Sequence, residues 1–409
     1  MANELTTSEL LSREAAARFR LNNSFFATAS NKYDGMFTDR TYESGQSVNI
    51  RLKNFGKVQR GDTVTVVDVL ERFQTLTLKP LYSYPVAFTT TDLTTDMRVD
   101  WLDRVFYPGV DALVSNINRD IALEALSVSY NWTGNAGTYV NSFGAVDTVS
   151  AQMDEMAIPM YKRYMCLNPA NSSALKISLQ NAFNQTLNTG ISLQSKLGHL
   201  STFDMFSEQL IPTHTAYAGA LGTPIVNGPV TSGNTIVLSG LTASITGIFK
   251  AGDVIEIDDV YKVDPIAKSD TGRKMQFVIT ADADSDIGGA CTILVSPTII
   301  GDSTNPNQNI VNRPPLVTNE VPNGAAITRP ATHKANFAYT EESLYIVTPP
   351  LAPMRTPNSY THTDKETGIS VRVSEIADVL NNKNIMRIDV LTGFTWIPTH
   401  LWRVISTLD

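Results

Sequence analysis

Asp282, Asp284 and Asp286 stand at every second position in FVITADADSDIGGACTILVSP, residues 277–297. Carboxylates at alternate positions are how a calcium loop begins, with ligands at positions one, three and five, a glycine at six and a bidentate glutamate at twelve. Counted from Asp282, position six is Ile287 and position twelve is Ile293, so the glycine and the bidentate ligand are both missing. What remains is an apolar run, an acidic turn with Gly288-Gly289 and a second apolar run. That is the pattern of two strands joined by a surface hairpin, and no metal site is assigned.

The other chemistry-bearing residues are equally dispersed. Asp253, Glu256, Asp258, Asp259 and Asp264 make a second acidic cluster among Val254, Ile255, Ile257, Val260 and Val263. Asp258-Asp259 reads as a turn rather than an acid–base pair. His199, His214, His333, His362 and His400 stand singly. Thr213-His214-Thr215 and Thr361-His362-Thr363 read as solvated loops. No H-E-x-x-H, G-x-S-x-G, P-loop or dinucleotide fingerprint occurs, so no catalytic residue and no cofactor is assigned. Cys166 and Cys291 lie far apart and read as two free thiols.

The elements that would position these residues are of both kinds. The chain has 409 residues, 42% hydrophobic and 18% charged, enough for two or three domains with a sizeable core. A net charge of −8 argues against a protein whose main task is gripping phosphates. No apolar run is long enough to span a membrane, and the opening MANELTTSELLSREAAARF has no signal-peptide character.

Residues 6–21 read as a short amphipathic helix behind the capping box Thr6-Thr-Ser-Glu9. Residues 46–80 alternate in the manner of two long strands. Residues 96–107 and 109–129 read as two helices broken at Pro108-Gly109, and Ala151–Ala157 and Pro169–Leu179 as shorter ones. From 222 to 330 helical periodicity disappears and short strands recur at Thr235–Leu238, Asp253–Ile257, Lys274–Thr280 and Ala290–Val295, as in a small β-barrel. Afterwards Phe337–Val347 and Ile369–Arg372 read as strands and Ser374–Leu380 as a short helix. Trp396 and Trp402 read as core. The fold class is α+β with an all-β insertion.

This order of elements resembles the major capsid proteins of tailed bacteriophages, and most closely the short-tailed-phage coat proteins that carry an inserted β-barrel in the Hong Kong 97-type fold. FKAGDVIEIDDVYKVDP at Phe249–Pro265, MQFVITAD at Met275–Asp282, NFAY at Asn336–Tyr339 with LYIVTPPL at Leu344–Leu351, and RIDVLTG at Arg387–Gly393 resemble words of that family in the right order. Thr392 stands where an aromatic is commoner.

The resemblance implies an N-terminal arm (1–39), an extension loop (40–91) and a spine helix (92–130). It further implies an axial domain with return strands (131–221 and 331–409) and an inserted β-barrel (222–330). It implies a structural shell of pentamers and hexamers around double-stranded DNA bound without sequence specificity. A separate scaffolding protein and a portal would be partners, with a decoration protein as an optional one, assembly in the bacterial cytoplasm and residence in the virion. Arg51, Lys53, Lys57, Arg60, Asp62, Asp68 and Glu71, on the extension loop, become the candidate intersubunit contacts. No covalent cross-linking is expected of Lys53 or Lys57. The rival readings are an encapsulin-like nanocompartment shell of the same fold and, more remotely, a calcium-binding β-rich adhesin.

Overall fold

A computed structural model describes residues 8–22, 24–34, 47–56, 58, 62, 71–89, 102–180, 198–313, 319–352, 354, 358–364 and 368–408. The chain divides into two units. One comprises residues 1–50, 74–121 and 344–395, the other residues 51–73, 122–343 and 396–409.

In the first unit the helix Ser8–Asn22 buries Leu11, Ala15, Ala16 and Phe19 along one stripe. That stripe lies on the strands Asn358–Thr363 and Ser370–Asp378. Thr6, to which the capping box was assigned, lies outside the described residues. The strands belong to an antiparallel four-stranded sheet in the order Asn358–Thr363, Ser370–Asp378, Lys383–Val390, Tyr82–Thr89. The helix expected at 374–380 is therefore largely a strand. Ser370–Asp378 is hydrogen-bonded along both edges, from Asn358↔Glu375 to Asp378↔Lys383, and pairing on two sides overrides a local helical signal.

The break expected at Pro108-Gly109 also falls differently. Leu102–Phe106 is wound as a π turn and runs directly into the α-helix Tyr107–Val128. Pro108 thus sits directly after the π turn, in the first turn of the α-helix. Gly109 is required for packing: a Cβ there would lie 2.2 Å from the Tyr84 ring. Val110, Leu113, Val114, Ile117 and Ile121 form the buried stripe.

The described residues of the second unit hold a core sheet and the sheet of the insert. The core sheet runs Asn131–Gly134, Leu401–Ser406, His333–Thr340, Arg163–Leu167, Phe203–Ser207, His199–Leu200. It is mixed: Asn131–Gly134 is parallel to Leu401–Ser406, and Arg163–Leu167 to Phe203–Ser207. The helices Phe143–Glu155 and Pro169–Gln180 bring Val146, Val149, Met153, Leu175 and Leu179 into one cluster with Met165, Phe203 and Trp402. Asn168 caps the second of these helices, its Oδ1 accepting from Asn171 N at 3.1 Å. Trp396 and Trp402 are both fully buried.

The insert is all strands. Its order is Ile310–Asn312, Val254–Val263, Asp270–Ile279, Cys291–Ile300, Ser232–Leu241, Gly222–Val226. A bridge from Ile225 to Ala326 and the pairing of Ile327–Thr328 with Val254–Val263 bring Gly222–Val226 back towards Val254–Val263, closing the sheet on itself. Ile236, Leu238, Phe249, Ile255, Ile257, Phe277, Ile279 and Ile293 fill the interior. The strands outrun their sequence signals because Asp258-Asp259 is not a turn. Both residues lie inside Val254–Val263, at an irregularity in the pairing where Asp259 takes φ +63.

Candidate functional site

The seven candidate contact residues divide by position. Arg51 ends the strand Ser47–Arg51, which pairs with Phe73–Thr77. Arg51, Lys53, Asp62 and Glu71 are exposed, whereas Lys57, Arg60 and Asp68 lie outside the described residues. Lys53 Nζ lies 3.1 Å from Glu342 Oε2 in the same chain. The side chain that anchors the base of this segment was not singled out from sequence. Phe55 receives the Arg72 guanidinium at 5.2 Å and the Lys268 ammonium at 4.9 Å from its ring centroid. An isolated phenylalanine in a polar run carries no signal of such a role.

The acidic hairpin is built by backbone amides. Asp282 Oδ1 accepts from Ala251 N at 2.7 Å, and Asp284 Oδ1 from Gly247 N at 2.6 Å. Asp286 Oδ1 accepts from Gly288 N at 2.8 Å and Ala290 N at 2.7 Å, closing its own turn. The first two carboxylates thus staple the 247–251 loop to the 280–290 loop, a use that needs alternate spacing and no cation. Among the described residues, no three His, Cys, Asp or Glu side chains converge as metal ligands do.

A buried polar cluster lies where the insert joins the core sheet. The chain enters through Thr213–Tyr217 and leaves through Arg329–His333, and the two passes form a stem. Thr213-His214 pairs with His333-Lys334, and Arg329 Nη2 donates to Tyr217 O at 2.8 Å. Asp253 of the insert, 1% exposed, closes the stem. Its Oδ1 accepts from His214 Nε2 at 2.7 Å, and its Oδ2 from Lys250 N at 2.8 Å and Arg329 Nη1 at 3.2 Å. Burial opposes ionisation of Asp253, but the His214 hydrogen bond and the Arg329 charge outweigh it and hold the carboxyl below its usual range.

Arg403, from the core strand Leu401–Ser406, sits beneath the stem. It donates to Ser129 Oγ at 3.0 Å, to Gly252 O at 2.8 Å and to Leu126 O. A cation here satisfies carbonyls at the end of the helix Tyr107–Val128, where a helix favours positive charge. Desolvation brings its guanidinium down to about 9. Gly252, at φ +89, lets the turn pass: a Cβ there would sit 3.4 Å from the His214 ring. His214 is therefore a buried hydrogen-bond partner in a strand and not a solvated loop residue, and His362 is half-buried in the strand Asn358–Thr363. Burial of His333 pushes its imidazole down to about 4.

A second polar joint lies on the flank of the insert. Gln276 Oε1 accepts from Trp132 N at 3.0 Å and its Nε2 donates to Trp132 O at 2.9 Å, so one side chain mimics a strand partner of the core sheet's edge. Lys262 Nζ, fully buried, donates to Asn131 Oδ1 at 2.8 Å and Gln276 Oε1 at 2.9 Å. Desolvation brings Lys262 down to about 7.

Two sequence matches point to one class. The family described as "P22 coat protein - gene protein 5" matches residues 230–401. The "Major capsid protein" of Acyrthosiphon pisum secondary endosymbiont phage 1 is 21% identical over 380 residues, covering 88% of each chain. Among solved structures, that of Mycobacterium phage Che8 aligns at TM-score 0.49 and 11% identity, covering 93% of this chain and 90% of the other. The capsid of Ralstonia phage GP4 aligns at TM-score 0.46 and 8% identity, covering 94% and 91%.

The two sequence matches support a tailed-phage major capsid protein. The segment that matches the P22 coat protein family spans most of the insert and its return into the core. Nothing in these findings favours the nanocompartment or adhesin readings.

Proposed function

We propose that this chain is the major capsid protein that builds the icosahedral shell of a tailed bacteriophage, from pentamers and hexamers of a Hong Kong 97-type subunit enclosing double-stranded DNA. The observation that carries the reading is the sequence match through residues 230–401, reinforced by a capsid relative aligned along 88% of the chain. The role is structural: fixing geometry rather than turning over a substrate. Residues 1–39 serve as the arm, 40–91 as the extension loop, 92–130 as the spine, 131–221 with 331–409 as the axial domain and return strands, and 222–330 as the inserted barrel. A separate scaffolding protein and a portal are the expected partners, a decoration protein an optional one, and the bacterial cytoplasm the place of assembly.

In this reading Arg51, Lys53, Lys57, Arg60, Asp62, Asp68 and Glu71 meet neighbouring copies. The exposure of Arg51, Lys53, Asp62 and Glu71 supports that role, since exposed mixed charge gives polar contacts that are individually weak and reversible. Deleting residues 54–62 tests it. The expected product is a folded monomer that forms no stable shells, by circular dichroism and electron microscopy. Shells like those of the unaltered chain would overturn the assignment.

A further inference from the structure

Two buried polar joints tie the insert to the core sheet, beside the apolar packing of Tyr130 and Ile405 against its interior; they share no hydrogen bond, although Arg403 of the one pairs with Trp132 of the other. One is the stem, where Asp253 gathers the entering pass through His214 and the leaving pass through Arg329. The other is the flank, where Gln276 and Lys262 hold Trp132 and Asn131 of the edge strand Asn131–Gly134. A single attachment leaves an inserted domain free to swing about it, whereas two attachments fix its attitude. Neither joint is needed to close the insert's own sheet, whose interior is filled by Ile236, Phe249, Ile255, Phe277 and Ile293.

We propose that the Asp253 stem and the Gln276–Lys262 flank act together as a two-point latch that sets the attitude of the inserted β-barrel on the core sheet. The polar character of both joints suits that task. An apolar seam tolerates sliding, but each of these bonds has one geometry, and a displaced insert would cost Asp253 its His214 bond, Arg329 its bond to Tyr217 O, Arg403 its bond to Gly252 O and the Trp132 amide its Gln276 partner in a dry environment. Arg403 extends the stem joint into the core, because one guanidinium holds Gly252 of the insert and Ser129 below the helix end. The inference rests on these contacts alone and stands apart from the capsid assignment.

Hydrogen–deuterium exchange on the full-length chain tests it, comparing Asp253→Ala, Gln276→Ala and the double variant. In Asp253→Ala, stem amides at 214–217 and 329–334 exchange about tenfold faster, an opening local to the joint, while Trp132 and Thr133 stay protected. Gln276→Ala gives the converse. In the double variant both joints open and the strands Ser232–Leu241 and Cys291–Ile300 keep their protection. If those strands lose protection in step with the joints, the buried groups merely support the barrel and the latch is wrong. Unchanged exchange at the joints also overturns it. Should the double variant not fold, the single variants decide: each opens its own joint only, and opening at both from either substitution contradicts two independent points.

Discussion

At the stem of the insert, Asp253 is 1% exposed and meets an imidazole and a guanidinium within 3.2 Å. At the segment that follows the strand Ser47–Arg51, the Lys53 side chain is 73% exposed and meets one carboxylate at 3.1 Å. Both are charged groups in a chain with few of them, yet their consequences differ. A buried carboxylate with a fixed set of donors determines where parts of one subunit sit. An exposed ammonium with a single partner determines little within the subunit and is open to exchange with another. The comparison separates charges that position from charges that can bind.

The sharpest way to break this contrast is Asp253→Ala. It leaves Arg329 and His214 buried opposite an empty site, and removing one partner of a buried pair costs about 3–5 kcal/mol. The expected result is a large fall in the denaturant concentration at which the stem opens, with Asp253→Asn intermediate. A loss no greater than that from Lys53→Ala would erase the distinction.

Next in size is Lys262→Met. Unfolded, Lys262 titrates near 10.5, and folded near 7, so between those values the unfolded state holds more protons and stability rises with pH. The penalty for burying this lysine is complete below pH 7 and shrinks as pH rises from there. Urea midpoints for the unaltered chain should therefore climb from pH 7 to pH 9.5 more steeply than those of Lys262→Met, a difference of about 1–3 kcal/mol given the size of such shifts. Equal slopes would contradict the buried neutral lysine.

A third effect lies on the acid side. His333 is driven down to about 4 from 6.5, so the unfolded state takes up a proton first and stability falls as pH drops through that window. Asp253, held low, adds a further loss below pH 3.8. His333→Gln should flatten the upper part of that acid limb in thermal melts. The smallest effect on stability belongs to Lys53→Ala, under about 1 kcal/mol for an exposed pair, and any influence it has should appear in assembly kinetics measured by light scattering.

Much of the architecture was legible because it is local. Alternating apolar residues marked the strands of the insert, the Val110–Ile121 stripe marked the long helix, and Asn168-Pro169 marked a helix start. What failed was what depends on partners distant in sequence. Ser370–Asp378 is a strand because chains on both sides pair with it. Asp258-Asp259 sits in an irregular strand because pairing continues past it. Thr213-His214-Thr215 looks solvated in sequence, and only Asp253, 39 residues away, makes it core. Arg403 is hidden in Leu401-Trp-Arg-Val, where a cation between apolar residues could face either way.

The acidic stretch at 277–297 shows both sides. Its turn was readable, but the amides that Asp282 and Asp284 bind belong to a loop more than thirty residues earlier.

The central claim is shell formation, and electron microscopy of the full-length chain, expressed with and without a scaffolding partner, tests it most directly. The account predicts closed shells of uniform diameter with pentameric and hexameric clusters, formed most regularly with the scaffold. A chain that stays monomeric, or forms only irregular aggregates, under every assembly condition in which it is folded would contradict it.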